Sequence, residues 1–285
     1  GIVLFINYFM VNRLLDPVRM LRRGAERIRS GDLSYRVRNE RQDELGALTE
    51  SINHMADSLQ SMLEAKRQLL LAISHELRTP LTKAKLRLEF MPDSEEKLQL
   101  REDIDEIDQL IGDLIEAERL NDEHTVLVEE PVMLAEFVES VVDQYFSYEG
   151  GLDIDLPAAD CEFVLDKLRI RLLLTNLLNN AIRHGRDKPL RVAVEFSDAR
   201  ESAILTIEDQ GEGIGKEHIG QVCEPFYRAD SSRQRNTGGF GLGLYLCRLI
   251  AQAHGGELSI HSELGVGTRI CVRLLKKPPK PAASS

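Results

Sequence analysis

Residues Ile73–Leu81 read Ile-Ser-His-Glu-Leu-Arg-Thr-Pro-Leu, and this run decides how the first half of the chain is interpreted. Apolar residues recur around it at helical spacing and predict a buried stripe on one helix face: Leu70, Ile73, Leu77, Leu81, Ala84 and Leu88. His75 falls about 200° around the helix from Ile73 at ~100° per residue, so we expect its imidazole to face solvent. Pro80 is expected to interrupt the helical pattern.

A histidine followed by a glutamate has the groups that phosphoryl chemistry needs. A neutral imidazole can attack a phosphoryl group through one ring nitrogen if the other nitrogen gives up its proton, and the Glu76 carboxylate beside His75 is placed to accept that proton. A lone pair of this kind is more often an ordinary surface base beside a surface acid. The assignment therefore depends on the motifs that accompany the pair.

Composition and charge predict a protein with sizeable cores and no bulk affinity for nucleic acid. The 285 residues are 42% apolar with a formal charge of -11, which argues against nucleic acid as a partner. Nine arginines against four acids lie between Arg13 and Arg41, directly after the apolar stretch Gly1–Val11. That stretch is shorter than the ~20 apolar residues of a membrane span. We interpret it as the cytoplasmic end of a transmembrane helix, with the basic segment beside the membrane.

The cysteines predict neither a metal site nor a redox motif, because no two of them have the required spacing: Cys161, Cys223, Cys247 and Cys271. We interpret them as small core residues in a reducing cytosol.

Two short helices are predicted before the His-Glu run. The first starts after Asp16-Pro17 and ends at Gly31-Asp32, and the second begins at Asp43-Glu44 after an extended connector. Neither helix can bury its apolar stripe alone, so we expect them to pair in a bundle with a second chain. An ordinary helical hairpin is the alternative for this region.

A helical hairpin is predicted around the His-Glu run. Met91–Ser94 closes the first helix with turn residues, and Ser94 starts the next. The returning helix carries its own apolar stripe: Leu100, Ile104, Ile107, Ile111 and Leu114. One apolar stripe on each helix leaves hydrophobic surface exposed in a monomer, so two copies should form a four-helix bundle and the chain should be a homodimer.

From Thr125 the pattern changes to short strands interleaved with helices. The predicted strands are Val126–Val128, Asp153–Leu156, Glu162–Leu165, Leu190–Phe196, Ala203–Glu208, Glu257–Ser262 and Thr268–Leu274. Helices packed on one face of a mixed sheet would bury these elements. The tail Lys276–Ser285 has no periodicity and is expected to be disordered.

Three polar or glycine-rich motifs in this second half predict a nucleotide site. Asn176 and Asn180 share one face of the predicted helix Leu168–His184, where their amides can meet a metal-bound triphosphate. Asp209-Gln210-Gly211-Glu212-Gly213 follows a strand, so its aspartate can accept a hydrogen bond from an exocyclic amine while the glycines allow close approach to a flat ring. Each motif alone could also be an exposed helix face or a plain turn.

Gly239-Phe240-Gly241-Leu242-Gly243 opens a helical run and offers backbone amides to phosphate. A dinucleotide-binding domain is the alternative, but no βαβ unit with a ribose-binding acid accompanies the glycines. Gly265–Thr268 is a third glycine motif, for which a hairpin turn is nearly as good an interpretation. The polar stretch Ala229–Thr237 has few apolar anchors and suits a mobile lid.

In this order the motifs resemble those of the sensor histidine kinases of two-component systems, over about nine-tenths of the chain. Ile73–Leu81 resembles the phosphoacceptor box, and the segment before it resembles a HAMP linker. The resemblance implies that His75 is phosphorylated, that Glu76 is the general base, and that Thr79 orients a water for dephosphorylating a partner.

The same resemblance assigns the nucleotide site. It makes Asn180 the magnesium ligand, Asp209 the acceptor for the adenine amine, and Phe226 the anchor of the F box. The residues it assigns to ATP are Asn176, Asn180, Arg183, His184, Asp209, Gly211, Gly213, Phe226, Arg228, Gly239, Gly241 and Gly243. Three arginines remain candidates for the terminal phosphate: Arg228, Arg233 and Arg235. His184 stands where the family usually has an aromatic ring, so we expect modest nucleotide affinity.

The expected architecture is α+β and multidomain, with a helical HAMP region and a dimeric four-helix-bundle hairpin before an α/β sandwich that binds ATP. The expected domains are the end of a transmembrane helix (1–11), a HAMP linker (12–62), a phosphotransfer hairpin (63–123), a catalytic domain (124–275) and a disordered tail (276–285). The implied protein lies at the inner membrane facing the cytoplasm, uses ATP and Mg²⁺, and passes its phosphoryl group to a response-regulator aspartate.

Two alternatives remain open. An ATPase of the same nucleotide fold, such as a gyrase-like, mismatch-repair or chaperone protein, shares the asparagine and glycine motifs but lacks the histidine hairpin. An inactive signalling scaffold would have lost a key group, whereas His75, Glu76, Asn180 and Asp209 are all present.

Overall fold

The computed structural model describes residues 16, 18–38, 42–121, 126–145, 148–185, 187–228 and 240–276. The chain divides into two units, Gly1–Leu77 and Arg78–Ser285. The predicted membrane segment Gly1–Val11, the polar stretch Ala229–Thr237 and the tail after Lys276 lie outside the described residues. Within the described ranges, no helix is long and apolar enough to cross a membrane.

The first unit contains the two helices that the sequence predicts. Helix α1 covers residues 18–29 and is followed by a turn in which Gly31 has a φ of 106°. In the connector, Val37 is buried, and the Asn53 side chain accepts from the Val37 amide at 2.9 Å and donates to its carbonyl at 2.9 Å. Helix α2 begins at Glu44, where Asp43 Oδ1 accepts from the Gly46 amide.

Helix α2 spans Glu44–Glu89 and passes through Pro80 without a break, so the predicted interruption at Pro80 was wrong. Proline lacks an N–H, which removes only the single helical bond to the carbonyl four residues earlier. The many remaining bonds of a long helix tolerate that loss.

The second unit opens with a helical hairpin. Helix α3 spans Glu95–Leu120, and its N-cap Ser94 accepts from the Lys97 amide at 3.2 Å, as the sequence predicts. Lys85 of α2 contacts α3 through Asp105 at 2.9 Å and Asp108 at 2.7 Å. These ion pairs help to hold the two helices together, although exposed pairs of this kind contribute little individually.

The remaining elements lie in residues 126–276, the segment that the sequence resemblance predicts to be catalytic, and this segment is named the catalytic region. They are, in chain order, β1 (Glu130–Met133), α4 (Leu134–Val142), a 3₁₀ turn (Asp143–Tyr145), β2 (Leu152–Asp155), β3 (Glu162–Leu165), α5 (Lys167–His184), β4 (Leu190–Phe196), β5 (Ser202–Asp209), α6 (Lys216–Ile219), α7 (Gly243–Ala253), β6 (Glu257–Glu263) and β7 (Gly267–Leu275).

A five-stranded mixed sheet with the order β2-β4-β5-β7-β6 is the framework of this region, and α5 and α7 pack against it. Only the β2–β4 pair is parallel. Strands β1 and β3 form a separate antiparallel pair. Buried side chains of the sheet and of α4, α5 and α7 make one continuous core. The α+β architecture with helices before an α/β domain is therefore confirmed.

The predicted strand Val126–Val128 was wrong, because the structure assigns no strand to these residues and gives them no strand partner among the described residues. Val126 and Val128 are 83% and 77% exposed, so their β-branched side chains lack the packing that favours a strand. The first strand of the region is β1, a few residues later.

The end of α3 packs onto the catalytic region. Ala117 and Leu120 belong to its core, and Glu116 accepts a 2.7 Å hydrogen bond from Arg169 Nε of α5. Asn121 donates to the Tyr245 hydroxyl of α7 at 2.7 Å. The returning helix of the hairpin therefore has both apolar and polar contacts with the helices that carry the nucleotide motifs.

Candidate active site

The phosphoacceptor residues lie on α2 within the first unit or just beyond its end. His75, Glu76 and Thr79 are all exposed, as the sequence predicts for His75. Ser74 beside them is buried, and its hydroxyl donates to the Leu70 carbonyl at 2.7 Å. The imidazole is thus carried on a regular helix where another molecule or domain can reach it.

Helix α5 places the two asparagines. Its N-cap Asp166 accepts from the Arg169 amide at 3.2 Å. The leucine-rich face of α5 is buried, whereas Asn176 and Asn180 are half-buried, one turn apart. The Asn176 amide nitrogen donates to the Leu172 carbonyl at 3.0 Å. Both predicted asparagines therefore lie on a face that is open enough to meet a ligand.

Asp209 ends β5 and is 5% exposed. Its Oδ1 accepts from the Gly211 amide at 2.8 Å. Burial raises the pKa of the Asp209 carboxyl, and hydrogen bonds from the Gly211 and Thr268 backbones oppose that rise. A carboxylate buried at a strand end suits recognition of a neutral amine group of a flat base.

Glycines allow the chain after β5 to lie directly on the end of α5. A Cβ added at Gly211 would be 1.8 Å from the His184 carbonyl oxygen, and the Glu212 amide donates to that oxygen at 3.3 Å. His184 is half-buried, and burial lowers the pKa of its imidazole, with Arg183 next to it acting in the same direction. The structure therefore brings the predicted residues of α5 and of the aspartate motif together.

The glycine motif at the start of α7 is held against α5, the helix that carries Asn176 and Asn180 and is named the N-box helix. A Cβ added at Gly243 would be 3.1 Å from Asn176 Oδ1. Leu242, the residue before the first turn, provides no side-chain cap, so the first amides of α7 are available to an anion. Asn176 and Gly243 thus form adjoining walls of one site.

Gly241 shows why glycine is needed in this motif. Its φ is 73°, and a Cβ there would be 2.5 Å from the Tyr227 carbonyl oxygen. The Phe226 amide donates to the Gly241 carbonyl at 3.0 Å. Gly239 lies outside the described residues, as do Arg233 and Arg235.

Phe226 lies next to the glycine motif with its side chain 60% exposed and a φ of 62°. The neighbouring Tyr227 is half-buried instead, and its hydroxyl lies 2.7 Å from His218 Nδ1. Sequence reasoning missed this pair because neither residue belongs to a spaced motif. Arg183 and Arg228 are exposed.

The residues present fit ATP with a hard cation. The buried Asp209 acceptor, the close-packed glycines and the uncapped start of α7 match a base at one end and phosphates at the other. Among the described residues, no group of three His, Cys, Asp or Glu side chains could hold a metal ion. Mg²⁺ can bind at a site without such a group, because it needs only one or two protein ligands and completes its coordination with phosphate and water oxygens. The Asn180 amide would be that protein ligand.

Three family models match the chain in order. They are the HAMP domain over residues 9–61, the His Kinase A (phospho-acceptor) domain over residues 65–123, and the Histidine kinase-, DNA gyrase B-, and HSP90-like ATPase over residues 165–278.

Two similar proteins are sensor kinases by name. The chain is 31% identical to "Sensor histidine kinase MtrB" of Mycolicibacterium paratuberculosis over 96% of its own length and 51% of the relative's. It is 30% identical to "Signal transduction histidine-protein kinase BaeS" of Escherichia coli over 94% of its length and 59% of the relative's. The chain therefore spans between half and three-fifths of these relatives.

Solved structures agree with this. "Acinetobacter baumannii histidine kinase AdeS" is similar with a TM-score of 0.52 and 25% identity, covering 71% of this chain and 98% of that one. A full-length ShkA in complex with AMPPNP shares the fold with a TM-score of 0.60 and 24% identity, covering 73% of this chain and 45% of that one. The three family models and the similar sensor kinases show that the chain belongs to the sensor histidine kinases of two-component systems.

Proposed function

We propose that this protein is a histidine kinase that phosphorylates itself on His75 with the γ-phosphoryl group of Mg-ATP and then passes that group to an aspartate of a response regulator. The observation that carries the proposal is the coexistence of an exposed His-Glu pair on α2 with a nucleotide site whose separate motifs adjoin each other. An ATPase of the same nucleotide fold without a histidine hairpin would need only the nucleotide site.

The chemistry at His75 follows from its two ring nitrogens. One nitrogen attacks the γ-phosphorus of ATP, the bond to the bridging oxygen breaks, and ADP leaves. The other nitrogen loses its proton to the Glu76 carboxylate, so the imidazole does not accumulate positive charge. The exposed aspartate of a receiver domain would then take the phosphoryl group from the phosphohistidine.

The nucleotide residues would bind and orient ATP. Asp209 would accept a hydrogen bond from the adenine amine, and the first amides of α7 after Gly241 and Gly243 would hold phosphate. Asn180 would ligate Mg²⁺, which supplies neutralisation of phosphate charge when bound. Arg183 lies on α5 three residues beyond Asn180, and Arg228 lies on the segment that contacts Gly241. Both are exposed candidates for phosphate contact.

The stacking position beside adenine would be taken by His184. Burial lowers the pKa of this imidazole and so favours its neutral form, and a neutral ring can lie against a base without repelling the nearby arginines. Its ring is smaller than that of tyrosine, which supports a modest affinity for ATP.

The whole protein would act as a membrane-attached homodimer. Support for the dimer comes from apolar side chains of α2 that one chain leaves exposed, including Leu69 and Ile73 at 60% and 45%. Support for the membrane comes from the sequence Gly1–Val11 and the arginines that follow it. The domain boundaries at residues 12, 63 and 124 and the cytoplasmic placement at the inner membrane are part of the same proposal.

The decisive experiment is labelling with γ-³²P-ATP and magnesium. The wild-type chain should give an acid-labile, alkali-stable phosphoprotein, and His75→Gln should give none. His54→Gln is the matched control, because His54 is another histidine on α2 whose side chain is 81% exposed, and this variant should label normally. Undiminished labelling of His75→Gln would reject the assignment of His75.

A further inference from the structure

A hydrogen bond between two side chains lies beside the glycine motif and has no role in the reaction described so far. His218 on α6 and Tyr227 are joined at 2.7 Å between Nδ1 and the hydroxyl, with ring centroids 6.1 Å apart and tilted by 48°. Both side chains are half-buried. The bond ties a four-residue helix to the segment Glu224–Arg228, which otherwise has few buried side chains.

The backbone of that segment is held in an uncommon conformation. Phe226 has a φ of 62°, in the left-handed region that a residue with a Cβ adopts only at some energetic cost. Its own side chain is 60% exposed and contributes little burial to offset that cost. The contacts that hold this turn therefore include the Tyr227 hydroxyl bond and the hydrogen bond from the Phe226 amide to the Gly241 carbonyl. The Tyr227 amide also donates to the Glu224 carbonyl at 3.2 Å, and the Glu224 carboxylate pairs with Arg248 of α7 at 3.0 Å.

The turn at Phe226 contacts the glycine motif that is expected to bind phosphate. The Tyr227 carbonyl oxygen and the Phe226 carbonyl carbon lie 2.5 and 2.9 Å from where a Cβ of Gly241 would be, so the two backbones are in direct contact. Gly241 lies two residues before α7, and Gly243 at the start of α7 faces Asn176 Oδ1. A shift of Tyr227 therefore moves the first amides of α7 relative to the N-box helix.

We propose that His218 and Tyr227 are positioning residues for ATP: their hydrogen bond fixes the turn at Phe226, which sets the conformation of Gly241 and the phosphate-binding amides behind it. Neither residue touches the reacting atoms. The proposal rests on the nucleotide role of Gly241 and Gly243 given above, and it adds a control over affinity rather than a chemical step.

The chemistry of the pair allows a graded test. A Tyr hydroxyl both donates and accepts, so any polar group that occupies the place of Nδ1 can replace the imidazole. The amide of asparagine branches from the same carbon as Nδ1 does, so His218→Asn can keep the bond, whereas His218→Leu cannot. Tyr227→Phe removes the hydroxyl and keeps the ring.

Two measurements on the full chain are needed. The first is hydrogen exchange of the Phe226 amide without nucleotide, because that amide donates to Gly241. The second is the affinity for Mg-ATP by calorimetry, together with KM and kcat of autophosphorylation. Tyr245→Phe is the matched control, since it also loses one hydroxyl hydrogen bond, to Asn121, on the side of α7 that faces α3.

We expect His218→Leu and Tyr227→Phe each to speed exchange at Phe226 and to weaken ATP affinity about fivefold, the loss of one hydrogen bond. KM should rise while kcat stays within about twofold. The double variant should be no worse than either single variant, because one bond is lost in all three. His218→Asn and Tyr245→Phe should bind ATP like the wild type.

Several results would overturn the proposal. Unchanged ATP affinity in both His218→Leu and Tyr227→Phe would do so, as would additive losses in the double variant or equal losses in His218→Asn and His218→Leu. A parallel fall in kcat and in unfolding temperature would indicate a merely structural role. Failure of this proposal can be distinguished from failure of the proposed function. If the variants change ATP affinity as expected but the wild type does not label His75, phosphotransfer from ATP to His75 is rejected. If the wild type labels normally but His218→Leu and Tyr227→Phe bind ATP unchanged, only the positioning role is rejected.

Discussion

The first unit and the catalytic region differ in how much apolar surface they bury. Among the described residues up to Leu77, the buried apolar side chains are Leu21, Val37 and Ala56, while Met62 and Leu69 on α2 are 66% and 60% exposed. In the catalytic region a continuous core includes sheet residues such as Leu205, which is 1% exposed. Both regions have apolar residues at regular spacing, yet only the second contains partners for them within one chain.

The catalytic region buries its apolar side chains within one chain, whereas α2 leaves many of its own exposed. A mixed sheet covered by helices offers each apolar face another layer to pack against. Single helices with one apolar stripe lack that second layer until another set of helices supplies it. We therefore expect packing within one chain to stabilise the catalytic region, and dimer formation to stabilise the helical region.

The largest effect is expected when a leucine is replaced by alanine in the catalytic region, compared with the same replacement in α2. Leu205→Ala should lower the free energy of unfolding of the catalytic region by about 2–5 kcal/mol, the usual cost of removing a buried leucine side chain. Leu69→Ala should cost little in dilute protein and should instead shift dimer dissociation to higher protein concentration. Calorimetry that resolves the separate transitions, repeated across a range of concentrations, measures both. A concentration-independent loss at Leu69 equal to that at Leu205 would break the comparison.

The next prediction is that the catalytic region keeps its fold when its ligand site is altered. Asn180→Ala should weaken Mg-ATP binding at least about tenfold, the order of effect expected when a metal ligand or its oriented contact is lost. The same substitution should leave the unfolding temperature nearly unchanged, because Asn180 is only half-buried.

Titration calorimetry with ATP, in the presence and absence of Mg²⁺, is the measurement. Asn179→Ala is the matched control, since Asn179 is an exposed neighbour on the same helix, and it should bind normally. Unchanged Mg-ATP affinity in Asn180→Ala would contradict the ligand role.

A smaller effect is expected from substituting Thr79. This substitution tests whether the exposed surface of α2 takes part in dephosphorylating a response regulator. Its hydroxyl lies one helical turn beyond His75 and could hold a water in line with the acyl phosphate of a partner. Thr79→Ala should keep autophosphorylation and should slow dephosphorylation of a phosphorylated response regulator several-fold.

Paired kinase and phosphatase assays decide this prediction, with Thr82→Ala as the control because Thr82 is exposed on the same helix and donates only to the Arg78 carbonyl. Equal loss of both activities in Thr79→Ala would indicate instead that Thr79 shapes the helix before Pro80.

The smallest expected effect is a pH dependence of the catalytic region. His254 is fully buried, its Nδ1 lies 2.8 Å from the Ile250 carbonyl oxygen, and its Nε2 accepts from the Asp166 amide at 3.1 Å. Burial lowers its pKa from the usual 6.5, so the folded state keeps it neutral while the unfolded state takes up a proton. Stability from this group is therefore present above about pH 6.5 and is lost as the pH falls below it.

His254→Gln has no such titration and can still accept the bond from Asp166. Between pH 7.5 and 5.5 its unfolding free energy should fall by about 1 kcal/mol less than that of the wild type, because one proton contributes at most about 1.4 kcal/mol per pH unit. Thermal unfolding at the two pH values checks this. Identical pH dependence in the two proteins would show that the pKa of His254 is the same in the folded and the unfolded state.

Much of the fold and site could be predicted from local sequence. Strands β3 and β4 have the predicted bounds, and Ser94 caps α3 as its residue type suggests. Other features depend on surroundings that local sequence does not contain. Pro80 lies inside a continuous helix because the rest of that helix is intact, and Val126–Val128 forms no strand because nothing pairs with it.

The local sequence identifies which groups are available: His75 beside Glu76, two asparagines one turn apart, an aspartate after a strand, and glycines before a helix. Residue type and spacing encode these, since helical and extended periodicities are local properties of the chain. Three contacts become visible in the folded chain: Asn176 adjoins Gly243, Gly211 lies against the His184 carbonyl, and the Tyr227 hydroxyl bonds His218. Those contacts join residues far apart in the chain, and packing of whole elements sets their distances to within a fraction of an ångström.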